Sequence, residues 1–320
     1  MRRLIASRLA QSLFVVFSVT TLSFWIVRLA PGQPFAYESS TITPAIRAHW
    51  RAQYGYDRPV GEQFARYVGS VARGQFGYSW SLHEPVSQAL RDTIPRTLLL
   101  AGTSLALSLL LGVTVGVYQA RRPGSWLDRS ISAVLVFFFS LPDFWLAIMM
   151  LLAFGYWLPI LPAGGYANPV LHEYMGPWAA AVDVAKHLVL PALTLTLLTA
   201  AAIARFQRAA MLEVLPLEFV RTARAKGASE NRVVWRHALR GALTPIVTML
   251  GLLFPLLLGG ALFVERVFAW PGMGLMAADA IGARDYDLIT ATVIIGAVMV
   301  ALGNLIADVL QAAIDPRIRG

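Results

Sequence analysis

The sequence predicts an all-α protein, a polytopic membrane helix bundle with six transmembrane helices. Hydrophobic residues make up 57% of the 320 residues and charged residues only 14%, whereas soluble domains average roughly 25% charged residues. Basic residues are concentrated in alternate connections between apolar runs. Six runs approach or exceed the ~20 residues that a membrane helix requires, at 9–30, 97–118, 131–157, 188–204, 242–264 and 288–310.

The first run follows a basic MRR and has some features of a secretory signal. A signal h-region, however, spans roughly 7–15 residues and precedes a small-residue cleavage site. This run is longer and carries Trp25 and Arg28 near its far end. We interpret it as an uncleaved first span.

The distribution of basic residues predicts the orientation of the bundle. With the N-terminus inside, the cytoplasmic pieces hold 16 Lys or Arg against five acids, and the opposite pieces hold ten against eleven. This asymmetry is the positive-inside pattern, so both termini are expected in the cytoplasm. Trp25, Trp157 and Trp270 then fall at outer span ends, where an aromatic belt would place them.

The segment 31–96 is the longest predicted outer loop. Stretches 44–53 and 61–73 have helical spacing, and PGQP, YGYDRP and RGQFGYS punctuate them as turns. We expect a small extracytoplasmic cap between the first and second membrane helices.

A basic insert of 37 residues, 205–241, separates the fourth and fifth runs and carries eight Lys or Arg against three acids. EFVRTARAK contains no helix breaker, Gly227 is suited to end that helix in a left-handed conformation, and Ser229 can cap a second helix. The second helix would carry a basic ridge of Arg232, Arg236 and Arg240. Two interpretations are open: a surface helix on anionic lipid, or a docking element for a cytoplasmic partner, whose groove Phe219, Val220 and Val233 would fill.

This helix–glycine–helix pattern resembles the cytoplasmic EAA loop of bacterial ABC-importer permeases, which docks on the ATPase subunit. The whole chain is similar to the dipeptide/oligopeptide permeases of the B type, in order and nearly end to end. The blocks that carry this similarity are RRLIASRLAQSLFVVFSVTTLSFWIVRLAPGQP, YGYDRPVGEQFARYVGSVARGQFGYSW, FSLPDFW, RTARAKGAS, VFAWPGMGLMAADAIGARDYDLI and NLIADVLQAAIDPRIR. One departure is that Arg221-Thr222-Ala223 stands where the general pattern has Glu-Ala-Ala.

The resemblance implies a type I ABC importer permease-like fold, with 1–320 as one permease domain and 205–241 as the cytoplasmic coupling loop. It also implies half of a translocation path in the bacterial inner membrane for dipeptides or oligopeptides; nickel chelates, glutathione and oligosaccharides are alternative substrates. The implied partners are membrane lipid, a second homologous permease, two ATPase subunits and an extracytoplasmic binding protein. The implied ATPase-coupling residues are Phe219, Arg221, Thr222, Ala223, Gly227, Arg232 and Arg236.

Several function classes lack their motifs. No G-x-x-x-x-G-K-[ST] loop occurs, so we expect ATP and Mg²⁺ on partner ATPases and no enzyme activity or cofactor on this chain. There is no cysteine and the five histidines are scattered, so no metal site is expected. The basic charge lies between apolar spans, which argues against nucleic-acid binding. A membrane-embedded enzyme would need H-E-x-x-H or a Ser–His pair, and an ion channel would need pore rings without an ATPase dock.

Two further sites have open interpretations. Asp143 follows Pro142 inside the third run, where a carboxylate is costly and marks either a translocation path or a structural pair with a neighbouring helix. The segment Trp270-Pro271-Gly272 precedes the last run; it belongs either to an outer gate or binding-protein dock, or to a plain interfacial helix.

Overall fold

The computed structural model describes the backbone of residues 2–29 and 58–314, and the regular secondary structure in this part of the chain is helical apart from one short hairpin. The predicted stretch 44–53 and the turn PGQP lie outside the described residues. The first six elements are α1 (Arg2–Leu29), α2 (Val60–Ala72), β1 (Tyr78–Ser79), β2 (Glu84–Pro85), α3 (Val86–Arg121) and α4 (Trp126–Ser140).

The second half of the chain begins with α5 (Asp143–Met150), which continues as a π-helix over Leu151–Trp157. A 3₁₀ turn, His172–Tyr174, precedes α6 (Pro177–Val214) and α7 (Glu218–Ala225). Next comes α8, which consists of Glu230–Arg232, a π-helical turn over Val233–Ala238 and Leu239–Ala242. The last helices are α9 (Thr244–Val267), α10 (Met273–Ala283) and α11 (Tyr286–Ile314).

Four helices in the described part of the chain are long and apolar enough to cross a membrane: Ala6–Val27, Val86–Arg121, Pro177–Val214 and Tyr286–Val309. The pair α4–α5 makes a fifth candidate if its two halves form one span. The prediction of an all-helical membrane protein is therefore confirmed, with four to five candidate spans. The remaining predicted run, 242–264, lies within α9.

The third predicted run, 131–157, consists of two helices that meet at Pro142. Its two halves, α4 and α5, are bent by 104° at Leu141–Pro142. Pro142 has no amide hydrogen, and its ring disfavours the helical conformation for the preceding residue; Leu141 accordingly is extended, with ψ of 137°. Hydrophobicity is continuous across this proline, whereas chain direction is not.

Helices α3 and α6 make the most extensive contact between two helices in the described part of the chain. Small residues line the contact face of α3 at every fourth position, which lets two backbones approach closely. Ser108 Oγ donates to the Thr196 carbonyl and Thr196 Oγ1 donates to the Ser104 carbonyl, both at 3.4 Å. Beyond them, a Cβ on Gly116 would lie 2.6 Å from the Ala204 carbonyl oxygen. This close contact makes α3 and α6 the centre of the bundle.

The two ends of α3 define two ends of the molecule. At its first residues lie the hairpin and α10, in one cluster that includes Val86, Leu90 and Met276; we call this the hairpin end. At its last residues lie α7 and α8, which we call the helix pair, and Val117 and Val233 share a cluster there. We call this the helix-pair end.

The hairpin is fastened to the start of α11. Asp285 is buried and accepts hydrogen bonds from Ser79 Oγ at 2.7 Å, from Ser81 Oγ at 2.8 Å and from the Ser81 amide at 3.0 Å. The other Asp285 oxygen accepts from the Leu288 amide at 3.2 Å and caps α11. Helix α2, which matches the predicted stretch 61–73, precedes this hairpin, so the described part of the predicted cap is ordered.

Candidate functional site

Helix α7 ends at Gly227 in the way that its sequence predicts. Gly227 has φ of +77°, a left-handed conformation in which glycine avoids the Cβ strain of other residues. The Gly227 amide donates to the Arg224 carbonyl at 2.9 Å and the Ala228 amide donates to the Ala223 carbonyl at 3.2 Å. These two bonds form a Schellman motif, which satisfies the last carbonyls of the helix and turns the chain toward α8.

The turn between α7 and α8 is bridged by an ion pair. Arg224 Nη2 lies 2.9 Å from Glu230 Oε1, and Arg224 Nε lies 3.1 Å from Glu230 Oε2. The hydrogen bonds from Arg224 hold the pKa of Glu230 below its ordinary value against the opposing effect of burial, so Glu230 is charged at neutral pH. Ser229 occupies the N-cap position as expected, but its side chain makes no capping hydrogen bond.

The inner face of the helix pair is part of the bundle core. Val220, Ala223, Val233, Val234 and Ala238 are all buried. They pack in one cluster with residues from the ends of α3 and α6, namely Val117, Ala120, Ala210 and Met211. Because a well-packed core transmits displacement, a force on the helix pair reaches both long helices.

The outer face of the helix pair is exposed and combines aromatic with basic side chains. Phe219 is 48% exposed and Trp235 is 39% exposed. Phe219 lies beside Gly241, where an added Cβ would be 3.6 Å from the ring. The other exposed members of the predicted coupling set are Arg221, Thr222, Gly227, Arg232 and Arg236.

Three sequence-based assignments in this region change. Val220 and Val233, which we expected to fill a partner's groove together with Phe219, are fully buried in this chain. Ala223 is also buried, so it packs in the core on the inner face of the helix pair. Helix α6 continues to Val214, so the first residues of the 205–241 insert belong to a long helix.

A buried ion pair at the helix-pair end was missed by the sequence analysis. Asp128, at the start of α4, is 4% exposed. Its two oxygens accept from Arg208 Nε at 2.9 Å and Nη2 at 2.8 Å, and the Gly124 amide donates to it at 2.8 Å. This bidentate geometry is the strongest form of such a pair. The two residues are 80 positions apart, and no local pattern indicates their contact.

Asp143 lies in the first turn of α5, directly after the bend. Its Oδ1 accepts from the Phe144 amide at 2.8 Å, and within the described residues it forms no ion pair. The structural pairing with a neighbouring helix that we weighed for Asp143 is therefore not found there. Pro142 is exposed and supplies the bend itself.

The Trp270-Pro271-Gly272 segment is anchored at the hairpin end. Trp270 is fully buried and its indole nitrogen donates to the Arg96 carbonyl at 3.1 Å. The predicted place of Trp270 in an aromatic belt is therefore wrong, whereas Trp25 and Trp157 are 44% and 67% exposed. Trp270 is buried because its ring also packs edge-on against Tyr166, with centroids 5.2 Å apart.

Gly272 lies where the structure leaves no space for a side chain. A Cβ there would overlap the Glu265 carboxylate and lie 2.6 Å from Thr97 Oγ1. Thr97 Oγ1 in turn donates to Glu265 at 3.1 Å and accepts from the Met273 amide at 2.7 Å, and the Leu275 amide donates to Glu265 at 2.9 Å. The fully buried Glu265 thus holds the first turn of α10, a role that the sequence analysis did not assign.

Two histidines that look scattered in the sequence converge on one carboxylate. His172 Nδ1 lies 2.9 Å from Asp183 Oδ2, and His187 Nδ1 lies 3.3 Å from Asp183 Oδ1 and 2.8 Å from the Asp183 carbonyl oxygen. The Asn168 amide also donates to Asp183 at 2.8 Å. In the described part of the chain, no group of three or more acidic, histidine or cysteine side chains has the geometry of a metal site.

The fold and the helix pair together define a class: a helical membrane protein with four to five candidate spans and an ordered helix pair at one end of its bundle. Residues 112–320 match the family described as "Binding-protein-dependent transport system inner membrane component". The chain belongs to this family. It is therefore a multi-pass inner-membrane permease component of a binding-protein-dependent ABC transporter, and not the ATPase of that system.

Individual relatives match over nearly their full length. The chain is 37% identical to the oligopeptide transport system permease protein AppB of Bacillus subtilis, covering 98% of each chain. It is 40% identical to a putative peptide permease protein of Brucella suis, over 100% of this chain and 99% of the relative. It is 36% identical to the glutathione transport system permease protein GsiC of Escherichia coli, over 98% of each chain.

A solved structure shows the same fold. A chain of the MetNI methionine ABC transporter in an inward-facing conformation superposes with a TM-score of 0.55 at 23% identity. The match covers 71% of this chain and 97% of that chain. The predicted permease-like fold is therefore confirmed at the level of the helical architecture.

Proposed function

We propose that this chain forms half of a translocation path for dipeptides or oligopeptides and is driven by separate ATPase subunits. The full-length similarity to permeases named for oligopeptide and peptide transport supports the substrate class. Glutathione is itself a tripeptide, so the similarity to a glutathione permease is consistent with the same class. Uptake of a panel of di-, tri- and oligopeptides by cells expressing the complete transporter, against cells lacking this chain, tests the proposal.

The helix pair is the proposed ATPase-coupling site. The observation that carries this proposal is its two-sided packing: one face is buried with the ends of α3 and α6, and the other exposes Phe219 among basic residues. A partner that grips the outer face would move the inner face and the bundle with it. The proposed assembly has a second homologous permease, two ATPase subunits that bind ATP and Mg²⁺, and an extracytoplasmic binding protein.

The proposed topology has six spans, with α9 and the bent α4–α5 pair each counted as one and both termini in the cytoplasm. It places Ser229 in the cytoplasm and Gly61 outside. Both residues are exposed, and the chain has no cysteine of its own. Single cysteines at these positions should react with a membrane-impermeant maleimide from opposite faces of oriented vesicles. Labelling of both from the same face would refute the six-span topology.

We expect Phe219→Ala to weaken ATPase binding more than any single arginine change on the outer face. Burying a whole Phe side chain contributes about 1.5–3 kcal/mol, and about half of Phe219 is still exposed for a partner to cover. The expected loss is therefore roughly 4- to 12-fold in affinity. A single surface ion pair of Arg236 contributes only about 0–1 kcal/mol.

Pull-down of the ATPase subunits by detergent-solubilised permease measures this ranking. Phe263→Ala is the matched control, because Phe263 is similarly exposed, at 51%, but lies at the far end of α9. If Arg236→Ala releases the ATPase while Phe219→Ala retains it, charge rather than apolar contact holds the dock.

We also propose roles for two sites beyond the helix pair. The bend at Pro142 and Asp143 belongs to the translocation path, since the carboxylate forms no ion pair within the described residues and is free to meet a substrate amino group. Trp270, Pro271 and Gly272 belong to the outer gate. Trp270 donates to the Arg96 carbonyl of α3 and, through its amide, to the Glu265 carbonyl of α9, and these bonds couple α10 to both helices. Asp143→Asn should reduce uptake of peptides with a free amino terminus more than uptake of N-acetylated ones.

A further inference from the structure

A cavity of about 330 Å³ opens at the helix-pair end, beside the last turn of α3. Its walls come from the end of α3, the α3–α4 turn and the first residue of α8. Arg121, Arg122, Ser125 and Glu230 are among its lining residues. The volume lies at the lower end of the roughly 300–1,000 Å³ that small-molecule sites occupy.

The charge of the cavity is positive. Arg122 is exposed, and in the part of the chain that the structure describes its guanidinium forms no ion pair or hydrogen bond. Arg121 donates to Asn231 Oδ1 at 2.6 Å, a neutral partner, and its charge is offset only in part by the nearby Glu230 carboxylate. The two carboxylates in the wall, Asp128 and Glu230, are each already paired with an arginine.

A second source of positive potential borders the same cavity. Helix α4 begins at Trp126, and its N-terminal end carries a partial positive charge. Ser125, which lines the cavity, caps this helix by accepting from the Asp128 amide at 3.2 Å. An anion in the cavity would therefore meet two arginines and the start of α4.

The mouth of the cavity is apolar and aromatic. Tyr118 and Leu127 line it and are 51% and 44% exposed, and the adjacent Trp126 is 74% exposed. Tyrosine and tryptophan are enriched where the hydrocarbon meets the headgroups. The candidate span Val86–Arg121 ends at this point, so the cavity lies at the depth of the headgroups. A soluble anion would leave these apolar side chains exposed, whereas the acyl chains of a lipid would cover them.

We propose that this cavity binds the headgroup of an anionic phospholipid, with the phosphate between Arg121 and Arg122 and the acyl chains along Tyr118, Trp126 and Leu127. Basic pockets next to membrane helices are suited to such headgroups. Glu230, the first residue of α8, also lines the cavity, so a bound headgroup would lie between α3 and the helix pair. This inference goes beyond the proposed peptide transport and does not depend on the substrate.

The site can be tested by native mass spectrometry. The detergent-purified full-length chain is incubated with phosphatidylglycerol or phosphatidylcholine, and the retained lipid is measured. We expect wild type to retain phosphatidylglycerol preferentially, and Arg122→Gln to lower this retention at least fivefold. Arg240→Gln is the matched control, because it removes an exposed arginine of α8 that does not line the cavity; retention should stay within twofold. Asn231→Ala frees Arg121 without removing its charge and should also preserve binding.

Three results would overturn the proposal. Equal loss in Arg122→Gln and Arg240→Gln would show a diffuse charge effect with no defined site. Equal retention of phosphatidylglycerol and phosphatidylcholine would remove the preference for an anionic headgroup. Displacement of the lipid signal by millimolar inorganic phosphate, without dependence on the acyl chains, would identify the occupant as a soluble anion. None of these measurements involves ATPase or peptide, so failure here leaves the proposed function untouched.

Discussion

Gly227→Val should insert normally in the membrane but lose the stimulation of ATP hydrolysis by substrate-loaded binding protein. Gly227 has φ of +77°, and no atom lies within 4 Å of an added Cβ, so the cost is backbone strain without a clash. That strain is roughly 1–2 kcal/mol, enough to shift a two-state equilibrium by about 5- to 30-fold. The valine variant should therefore lower the equilibrium constant for the observed placement of α8 by this factor.

Gly227→Asn is the control for this experiment. Asparagine adopts the left-handed conformation far more readily than a β-branched residue, so its complex should retain most of the stimulated hydrolysis. ATPase activity of the reconstituted transporter, with and without loaded binding protein, is the measurement. Full stimulation in Gly227→Val would mean that the geometry of the hinge is not used for coupling and would favour a lipid-binding role for the helix pair.

Gly116→Ala should destabilise the permease, although alanine is the better helix former. A Cβ at Gly116 would lie 2.6 Å from the Ala204 carbonyl oxygen, 2.7 Å from Gln207 Cβ and 3.0 Å from the Arg208 amide nitrogen. Two of these atoms belong to the backbone, so α3 and α6 must separate. Overpacking of this kind costs typically 1–3 kcal/mol.

The thermal midpoint of the purified chain, followed by fluorescence-detected size exclusion, measures this effect. Gly102→Ala makes the same chemical change in the same helix, where nothing lies within 4 Å of the new methyl group; its midpoint should stay equal or rise slightly. We expect the midpoint of Gly116→Ala to fall by several degrees, on the scale of about 2–4 °C per kcal/mol that applies to domains of about 150–250 residues. An unchanged midpoint would mean that the two helices are not in tight contact.

Part of this structure could be predicted from local sequence signals. Gly227 could be assigned from the sequence because few residues other than glycine end a helix in the left-handed conformation. The four-residue period of Ser104, Ser108, Gly112 and Gly116 was equally visible and would have indicated the α3–α6 contact, had it been used. Pro142 also carried a signal for the bend, which the hydrophobicity of its neighbours alone does not show.

Other features depend on contacts between distant parts of the chain. Phe219 and Val220 are adjacent, yet one is half exposed and the other is buried; the difference is set by where α3 and α6 end. Trp270 is withdrawn from the surface by a hydrogen bond to a residue 174 positions away. No periodicity within either segment reports such a pairing, so composition and local pattern could not have located it.

The hydrogen bonds between the hairpin and Asp285 have a consequence for the synthesis of the protein on the ribosome. Ser79 and Asp285 are separated by 206 positions, and translation adds about 5–20 residues per second. The serines therefore leave the ribosome roughly 10–40 s before their carboxylate partner exists. During that interval the hairpin lacks its fastening, and only a chain synthesised through the start of α11 can close it. A nascent chain stalled short of Asp285 would expose this unfinished junction, where proteases or chaperones could distinguish it from the completed molecule.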